Sequence, residues 1–299
     1  MAVYKQTYRS YDGPSTPTWS RFLILPKYAF EEKRRSRFFT MFFLVTMLAP
    51  LIFALIIYVE HNLSALKLLN AGRGDLIPIN AGFFQNLLGW QSMMAFFLAA
   101  FVGPGLISPD LANNALPLYL ARPFSRAEYV LGKMSVLLIL MSLMTWVPGL
   151  LLFILQGSLE GNGWMGHNLY IASALFFGAW IWILLLSLLA LALSAWVKWK
   201  PLAGGLLFGV FFVSAGFAGM INVILHTRWG HLINISHLVG AVWVSLFDQP
   251  MHRGSGAVFF RVARAEEIPI WCCWLSLLAI CGFCLHLLGR KIRGAEVVR

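Results

Sequence analysis

The chain has 299 residues, of which 59% are hydrophobic and 12% charged, with a formal net charge of +11. Soluble domains are typically about 45–50% apolar and about one quarter charged. This composition therefore excludes a soluble protein and indicates an integral membrane protein. The positive charge does not favour nucleic acid as a partner, because the Lys and Arg residues flank apolar runs instead of forming a patch on a polar domain.

Residues 1–37 are predicted to form a cytoplasmic N-terminal segment. From Ile24 to Arg37, the apolar side chains of Tyr28, Ala29 and Phe30 stand beside a block of charge. This pattern favours an amphipathic helix that lies on the membrane surface and leads into the first span.

Six apolar runs follow, each long enough to cross a hydrocarbon core about 30 Å thick. They lie near residues 38–58, 83–107, 129–155, 169–197, 202–225 and 268–288. The predicted fold is thus an all-α, six-span transmembrane domain over residues 38–288, followed by a tail at 289–299. One side of this arrangement carries 17 Lys and Arg residues and the other carries 6. Since cytoplasmic segments hold the excess, we expect both termini in the cytoplasm.

The outer region at residues 226–267 contains a further apolar stretch, Trp229–Phe247, that is nearly long enough to span. A span there would place Arg290, Lys291 and Arg293 outside, against the charge rule. We interpret the stretch as a re-entrant or interfacial segment, which requires that protein cover its backbone.

The segment from Gly103 to Lys133 is a polar interruption between the second and third spans. Ser108 followed by Pro109 predicts the start of a short helix with Ser108 as its N-cap. Pro123 ends that helix, because proline disfavours helical backbone in the preceding residue. Ser125 and Glu128 then form a capping box that opens the third span. The whole connection, residues 108–128, is predicted to be a short helix, a proline turn and a capped helix.

Two groups of residues have chemical potential but weak patterns. Buried thiols explain the cysteines of the last span better than a metal or redox site, because Cys281-x-x-Cys284 has no second ligand pair. The outer histidines have spacings of five and six, which do not stack on one helix face, so a metal site is not favoured there either. These residues are Cys272, Cys273, Cys281 and Cys284, and His226, His231, His237 and His252.

The fifth span carries small residues that allow helices to approach closely. Packing within the chain and a dimer seam explain them equally well. They are Gly205, Gly209, Gly216 and Gly219.

The sequence also lacks the residues of two common kinds of energy coupling. The interiors of the spans lack Asp, Glu, Lys and Arg, which proton and sodium relays require. The phosphate-binding pattern G-x-x-x-x-G-K-[ST] is absent. We therefore predict no catalytic residue, no metal and no cofactor in this chain.

The stretch from Asp110 to Lys133, DLANNALPLYLARPFSRAEYVLGK, resembles the loop between the second and third spans of ABC-2 type permeases. In that family an acidic residue, a short helix and a run of leucines precede R-P-x-S-R and a G-K pair. The six-span layout, the basic surface helix and the long outer region are similar too.

The resemblance implies an ABC transporter permease of the inner (cytoplasmic) membrane that works by alternating access. This loop would dock as a coupling helix into a cytoplasmic ATPase subunit, which would bind ATP and Mg²⁺, and a second permease copy or a paralogue would complete the transporter. Asp110 would cap its own helix or meet a basic group of the ATPase. The expected contact residues are Asp110, Leu111, Asn113, Asn114, Leu116, Leu118 and Arg122. Two alternatives remain: a loop that is only a connector, and a membrane subunit that anchors or regulates an assembly without transporting.

Overall fold

The computed structural model describes Tyr28, Phe30 and residues 36–62, 78–113, 125–161, 163–248 and 268–292. These residues are helical or lie in short connections, without a strand among them. Most of the predicted surface helix and the tail beyond residue 292 lie outside the described residues. So do four expected contact residues and one histidine, namely Asn114, Leu116, Leu118, Arg122 and His252.

Six helical segments of the described chain are long and apolar enough to cross a membrane, which confirms the six-span prediction. The second and third of these are each divided in two. In chain order the helices are α1 (Arg37–His61), α2 (Ala81–Val102), α3 (Pro104–Ala112), α4 (Arg126–Met144), α5 (Trp146–Glu160), α6 (Trp164–His167), α7 (Leu169–Trp196), α8 (Lys200–Ile224), α9 (Ile235–Leu246) and α10 (Ile270–Lys291). A 3₁₀ helix, Trp229–Leu232, stands between α8 and α9.

Prolines explain why two spans are divided. Pro104 follows the break at Gly103, and Pro148 lies just beyond the break at Thr145. Proline has no N–H to donate to the carbonyl four residues earlier, and its ring crowds that carbonyl. Pro50, in contrast, lies inside an unbroken α1. The sequence predicted the third span as one helix. The structure breaks this helix at Thr145, next to the carbonyl to which Pro148 cannot donate a hydrogen bond.

Short polar side chains begin several helices by accepting hydrogen bonds from the first turn. The Asn80 side chain accepts from the amide of Phe83 at the start of α2, and the Asn234 side chain accepts from the amide of His237 at the start of α9. Since the first amides of a helix have no partner within it, each such bond stabilises its helix by about 1 kcal/mol.

Helix α7 forms the centre of the bundle, since 17 of its 28 residues are buried. It packs against α2, α3, α4, α5, α8, α9 and α10. Trp182, one of two fully buried tryptophans among the described residues, donates a hydrogen bond from Nε1 to the carbonyl of Ser92 at 2.9 Å. By contrast, α1, α8 and α10 expose broad apolar faces, as helices at a lipid boundary do.

The outer segment enters the bundle instead of spanning it. The 3₁₀ helix packs against α8, where the amide of Gly230 donates to Oδ1 of Asn222 at 2.9 Å. Helix α9 has twelve residues, about 18 Å of helix, which is shorter than a membrane core. It packs between α7 and α10, and Trp243 Nε1 donates to the carbonyl of Gly178 at 2.9 Å. Protein therefore covers this segment, as a re-entrant interpretation requires.

Candidate functional site

The region around α3 is held to the central helix by a pair of buried serines. Ser194 Oγ accepts hydrogen bonds from the amides of Ile107 at 3.2 Å and Ser108 at 2.9 Å, and donates to the carbonyl of Pro104 at 3.0 Å. The Ser108 hydroxyl in turn lies 2.7 Å from the carbonyl of Val197. Ser108 is therefore not the predicted N-cap. Gly103 and Pro104 start the helix earlier, which leaves the Ser108 side chain free to bond to the end of α7.

Two glycines allow the backbones of this region to come unusually close. A Cβ at Gly103 would lie 2.7 Å from Cβ of Ala190, and a Cβ at Gly204 would lie 2.6 Å from the carbonyl oxygen of Ala100. Real Cβ atoms do not approach that closely, so any other residue would force the helices apart. The end of α2 and the beginning of α8 thus meet in direct backbone contact, and the C-cap of α2 lies against the Ala190 side chain of α7.

Asp110 links the end of α3 to the beginning of α4. Its Oδ2 accepts a hydrogen bond from the Tyr129 hydroxyl at 2.7 Å and lies 2.8 Å from Nζ of Lys133. The Lys133 ammonium also lies 5.7 Å from the centre of the Tyr129 ring. The carboxylate of Asp110 is thus bound to α4 of the same chain and does not cap α3. The predicted contact of Asp110 with a basic group of the ATPase stays a prediction. The i, i+4 spacing of Tyr129 and Lys133 puts both donors on one helix face.

The beginning of α4 has both hydrogen bonds of a capping box. Ser125 Oγ accepts from the amide of Glu128 at 3.2 Å, and the Glu128 carboxylate accepts from the amide of Ser125 at 2.6 Å. Two of the first amides of α4 are thereby satisfied at an exposed position.

Of the expected contact residues, three lie in α3 or at its end. Leu111 is half-buried against the protein's own core, and Asn113 is exposed at the C-cap of α3. Asp110 is half-buried in its contact with α4. Residues 114–124 therefore join the end of α3, which is bound to α4 and α7, to the capped beginning of α4.

The chain was compared with known families and proteins. The family model described as ABC-2 family transporter protein matches residues 27–230, about two thirds of the chain. The chain belongs to this family. No curated protein matches it significantly, so the family model carries the assignment. It is thus a multi-pass membrane permease of the ABC-2 type, a transmembrane subunit of a class that is generally not itself catalytic.

The glycines of the fifth span differ in their surroundings: some face open space, and one lies against another helix of this permease. At each of the four predicted positions a Cβ would meet nothing within 4 Å, so packing within the described chain does not explain them. They lie on the open side of α8 and are Gly205, Gly209, Gly216 and Gly219. Their neighbour Gly204, which the sequence did not single out, is the one that contacts α2.

The sequence also did not predict two contacts that histidine side chains make. The rings of His231, in the 3₁₀ helix, and His237, in α9, stack with their centres 4.4 Å apart. His61 Nε2 lies 2.7 Å from the Glu160 carboxylate, joining the ends of α1 and α5. Neither pair has a sequence spacing that signals it. Burial, and secondarily the positive charge of Arg228, lower the pKa of His231.

The four cysteines of α10 are free thiols. Cys272, Cys273 and Cys284 are buried and Cys281 is partly buried. They lie among apolar side chains, as small hydrophobic residues do.

Proposed function

We propose that this permease is the transmembrane subunit of an ABC transporter and works with a separate cytoplasmic ATPase that binds ATP and Mg²⁺. The observation that carries this proposal is the double anchoring of the loop between α3 and α4. Its first end is bound through Ser108 and Asp110, and its second end is capped by Ser125 and Glu128. A connector alone needs no such reinforcement.

The anchoring suits a loop that transmits force. The Asp110 contacts join α3 to α4, and the Ser194 contacts join α3 to α7. A displacement of the loop by a partner would therefore move three helices as one unit. Charge-assisted hydrogen bonds between groups of low exposure, such as Lys133 and Asp110, are the stronger kind and hold their geometry well. Nucleotide binding in the ATPase would thus drive alternating access through α3.

The same end of the bundle supports a proposed orientation of the chain. Positive side chains lie at the α3 end of α4, α8 and α10 and in the connection between α7 and α8, namely Lys133, Lys200, Arg290, Lys291 and Lys198. Lys and Arg concentrate on the cytoplasmic side. The proposed orientation accordingly has the α3 end and both termini in the cytoplasm, and the proposed membrane is the inner membrane.

A second permease, identical or paralogous, completes the proposed transporter. The open side of α8 supports this part of the proposal, since glycines in a membrane helix allow a partner helix to approach closely. Gly209→Leu would place bulk on that side and should weaken self-association without disturbing the fold. Crosslinking in native membranes measures it, and an unchanged dimer fraction would move the interface elsewhere.

Purification of the tagged full-length chain from its native membranes in mild detergent tests the ATPase partner. We expect an ABC ATPase to co-purify and to hydrolyse ATP. Leu116→Asp would put a carboxylate into the proposed contact and should abolish co-purification. Leu68→Asp is the matched control, because it makes the same change in the loop on the predicted opposite side.

Membrane expression of both variants must equal that of the wild-type chain for the comparison to count. If Leu116→Asp retains the ATPase and full activity, the loop is a connector and the coupling assignment fails. If no ATPase accompanies the wild-type chain, the alternative of a non-transporting anchor is favoured.

A further inference from the structure

An apolar cavity among the described residues lies between α7, α8, α10 and the chain that joins the 3₁₀ helix to α9. Its volume is about 600 Å³, within the range of sites that hold small molecules. Its walls are aliphatic and aromatic side chains with little polar surface. Representative lining residues are Leu189, Leu193, Leu232, Ile233, Ile280 and Phe283.

The cavity opens on the lipid-facing side of a membrane span. Phe283 on its α10 wall is 62% exposed, and Ala279 one turn away is exposed as well. Water is unfavourable against such walls, and an empty space would lose the dispersion contacts of the residues around it. In a bilayer the surrounding medium is hydrocarbon, so an acyl chain suits this space.

One end of the cavity is bordered by a cationic rim. Trp196 and Leu287 line this end, and Trp196 Nε1 donates to the Leu287 carbonyl at 3.4 Å. The Lys291 ammonium lies 5.2 Å from the centre of the Trp196 ring. Arg290 is adjacent and exposed.

The chain beyond α7 adds two more cations to this end. Lys198 and Lys200 are exposed and follow Trp196 within four residues. Helices α7, α8 and α10 contain no Asp or Glu at all. An apolar cavity with a positive rim is complementary to a molecule that has a hydrocarbon tail and a negative head.

We propose that this cavity is a binding site for one anionic phospholipid. An acyl chain occupies the cavity between α7 and α10, and the headgroup phosphate lies on the rim formed by Lys291, Arg290, Lys198 and Lys200. The site needs only the membrane setting of the permease and does not depend on the coupling loop or on the ATPase partner.

Native mass spectrometry of the purified full-length chain tests the proposal, with added phosphatidylglycerol and phosphatidylcholine as the probes. The wild-type chain should retain phosphatidylglycerol in preference to phosphatidylcholine. Lys291→Gln should weaken retention of phosphatidylglycerol about five-fold and leave phosphatidylcholine unchanged, as expected for one charge near a headgroup. Arg37→Gln is the control, because it removes a positive charge at the beginning of α1, a helix that does not line the cavity.

A second variant tests the cavity itself. Ala279→Phe should displace about two methylene groups of the chain and lower retention of both lipids roughly ten-fold. Leu278→Phe introduces the same side chain beside it, at an exposed position that does not line the cavity. Both positions are exposed, so both variants should fold.

Three outcomes overturn the proposal. The first is equal retention of the two lipids by the wild-type chain. The second is equal retention of phosphatidylglycerol by Ala279→Phe and Leu278→Phe. The third is a loss of self-association in Ala279→Phe with lipid retention unchanged, which would make the cavity a contact between copies of the chain.

Discussion

The ammonium group of Lys133 lies 2.8 Å from the carboxylate of Asp110, and the two side chains are only 14% and 15% exposed. This ion pair joins the last turn of α3 to the second turn of α4 across the base of the α3–α4 loop. Because both groups are largely shielded from water, their attraction is screened less than that of a surface pair. The same carboxylate oxygen also accepts the Tyr129 hydroxyl, so one side chain fixes two points of α4.

We expect Asp110→Ala to destabilise the permease by about 1–3 kcal/mol, since it removes two hydrogen bonds to a charged group. Lys133→Met and Tyr129→Phe should each cost less, because each removes one of the two contacts. Thermal unfolding in detergent measures all three. A double-mutant cycle of Asp110→Ala with Lys133→Met should show coupling, and strictly additive losses would contradict the pairing.

Ser194→Ala should be the most damaging serine substitution in the described chain. It would leave the amides of Ile107 and Ser108 without the hydroxyl that accepts from both, and a buried unsatisfied group costs about 1–3 kcal/mol. Ser158→Ala is the matched control, because Ser158 is exposed and bonds only to the carbonyl of Leu155 on its own helix. Equal melting temperatures for the two variants would contradict the role of Ser194.

Gly204 and Gly205 are neighbours that should respond oppositely to the same change. Gly204→Ala would push a methyl group into the carbonyl oxygen of Ala100 and should destabilise by about 1–3 kcal/mol. Gly205→Ala meets open space, so the better helix propensity of alanine should leave stability unchanged or raise it by up to about 1 kcal/mol. Melting temperatures of the two variants measure the difference, and a tolerated Gly204→Ala would place α8 further from α2.

The packing of the 3₁₀ helix should weaken in acid. Because burial and Arg228 hold the pKa of His231 below its ordinary 6.5, the released segment binds a proton that the packed segment does not. Stability is therefore fully present above about pH 6.5 and falls as the pH drops toward the lowered pKa. A charge on His231 would also face the stacked ring of His237.

Hydrogen exchange of the peptide over residues 225–246, compared at pH 7.5 and 5.5 after correction for intrinsic rates, measures this effect. His231→Phe keeps a ring at that position and should reduce the pH dependence. His167→Phe changes an exposed histidine at the end of α6 and should leave the pH dependence unchanged. An equal pH response in all three proteins would rule out His231 as its source.

The sequence predicted the six spans and the capping box residues because those features are local. A run of about 20 apolar residues identifies a span, and Ser125 with Glu128 three residues later identifies a helix start. The prediction of Ser108 as an N-cap was wrong for the same reason, because it depended on a local pattern. Its local pattern is that of an N-cap, but its partner Ser194 is 86 residues away in sequence.

The packing of the helices was harder to predict, because in a membrane both the buried and the lipid-facing sides of a helix are apolar. Hydrophobic periodicity therefore does not show which side of α8 meets α2 or that α9 lies against α7. Trp243 and Gly178 illustrate the difficulty, since their contact depends on how two helices are turned and not on either local sequence.

The central position of α7 also constrains the order in which the chain assembles. During synthesis α1 to α5 emerge first, yet α2, α3 and α4 all pack against a helix that begins only at Leu169. Until α7 is inserted, the amides of Ile107 and Ser108 lack the Ser194 hydroxyl and the Trp182 indole is missing from beside Ser92. The first half of the chain therefore lacks its central packing surface until α7 is inserted, and a nascent chain that stalls before residue 196 leaves these contacts unmade.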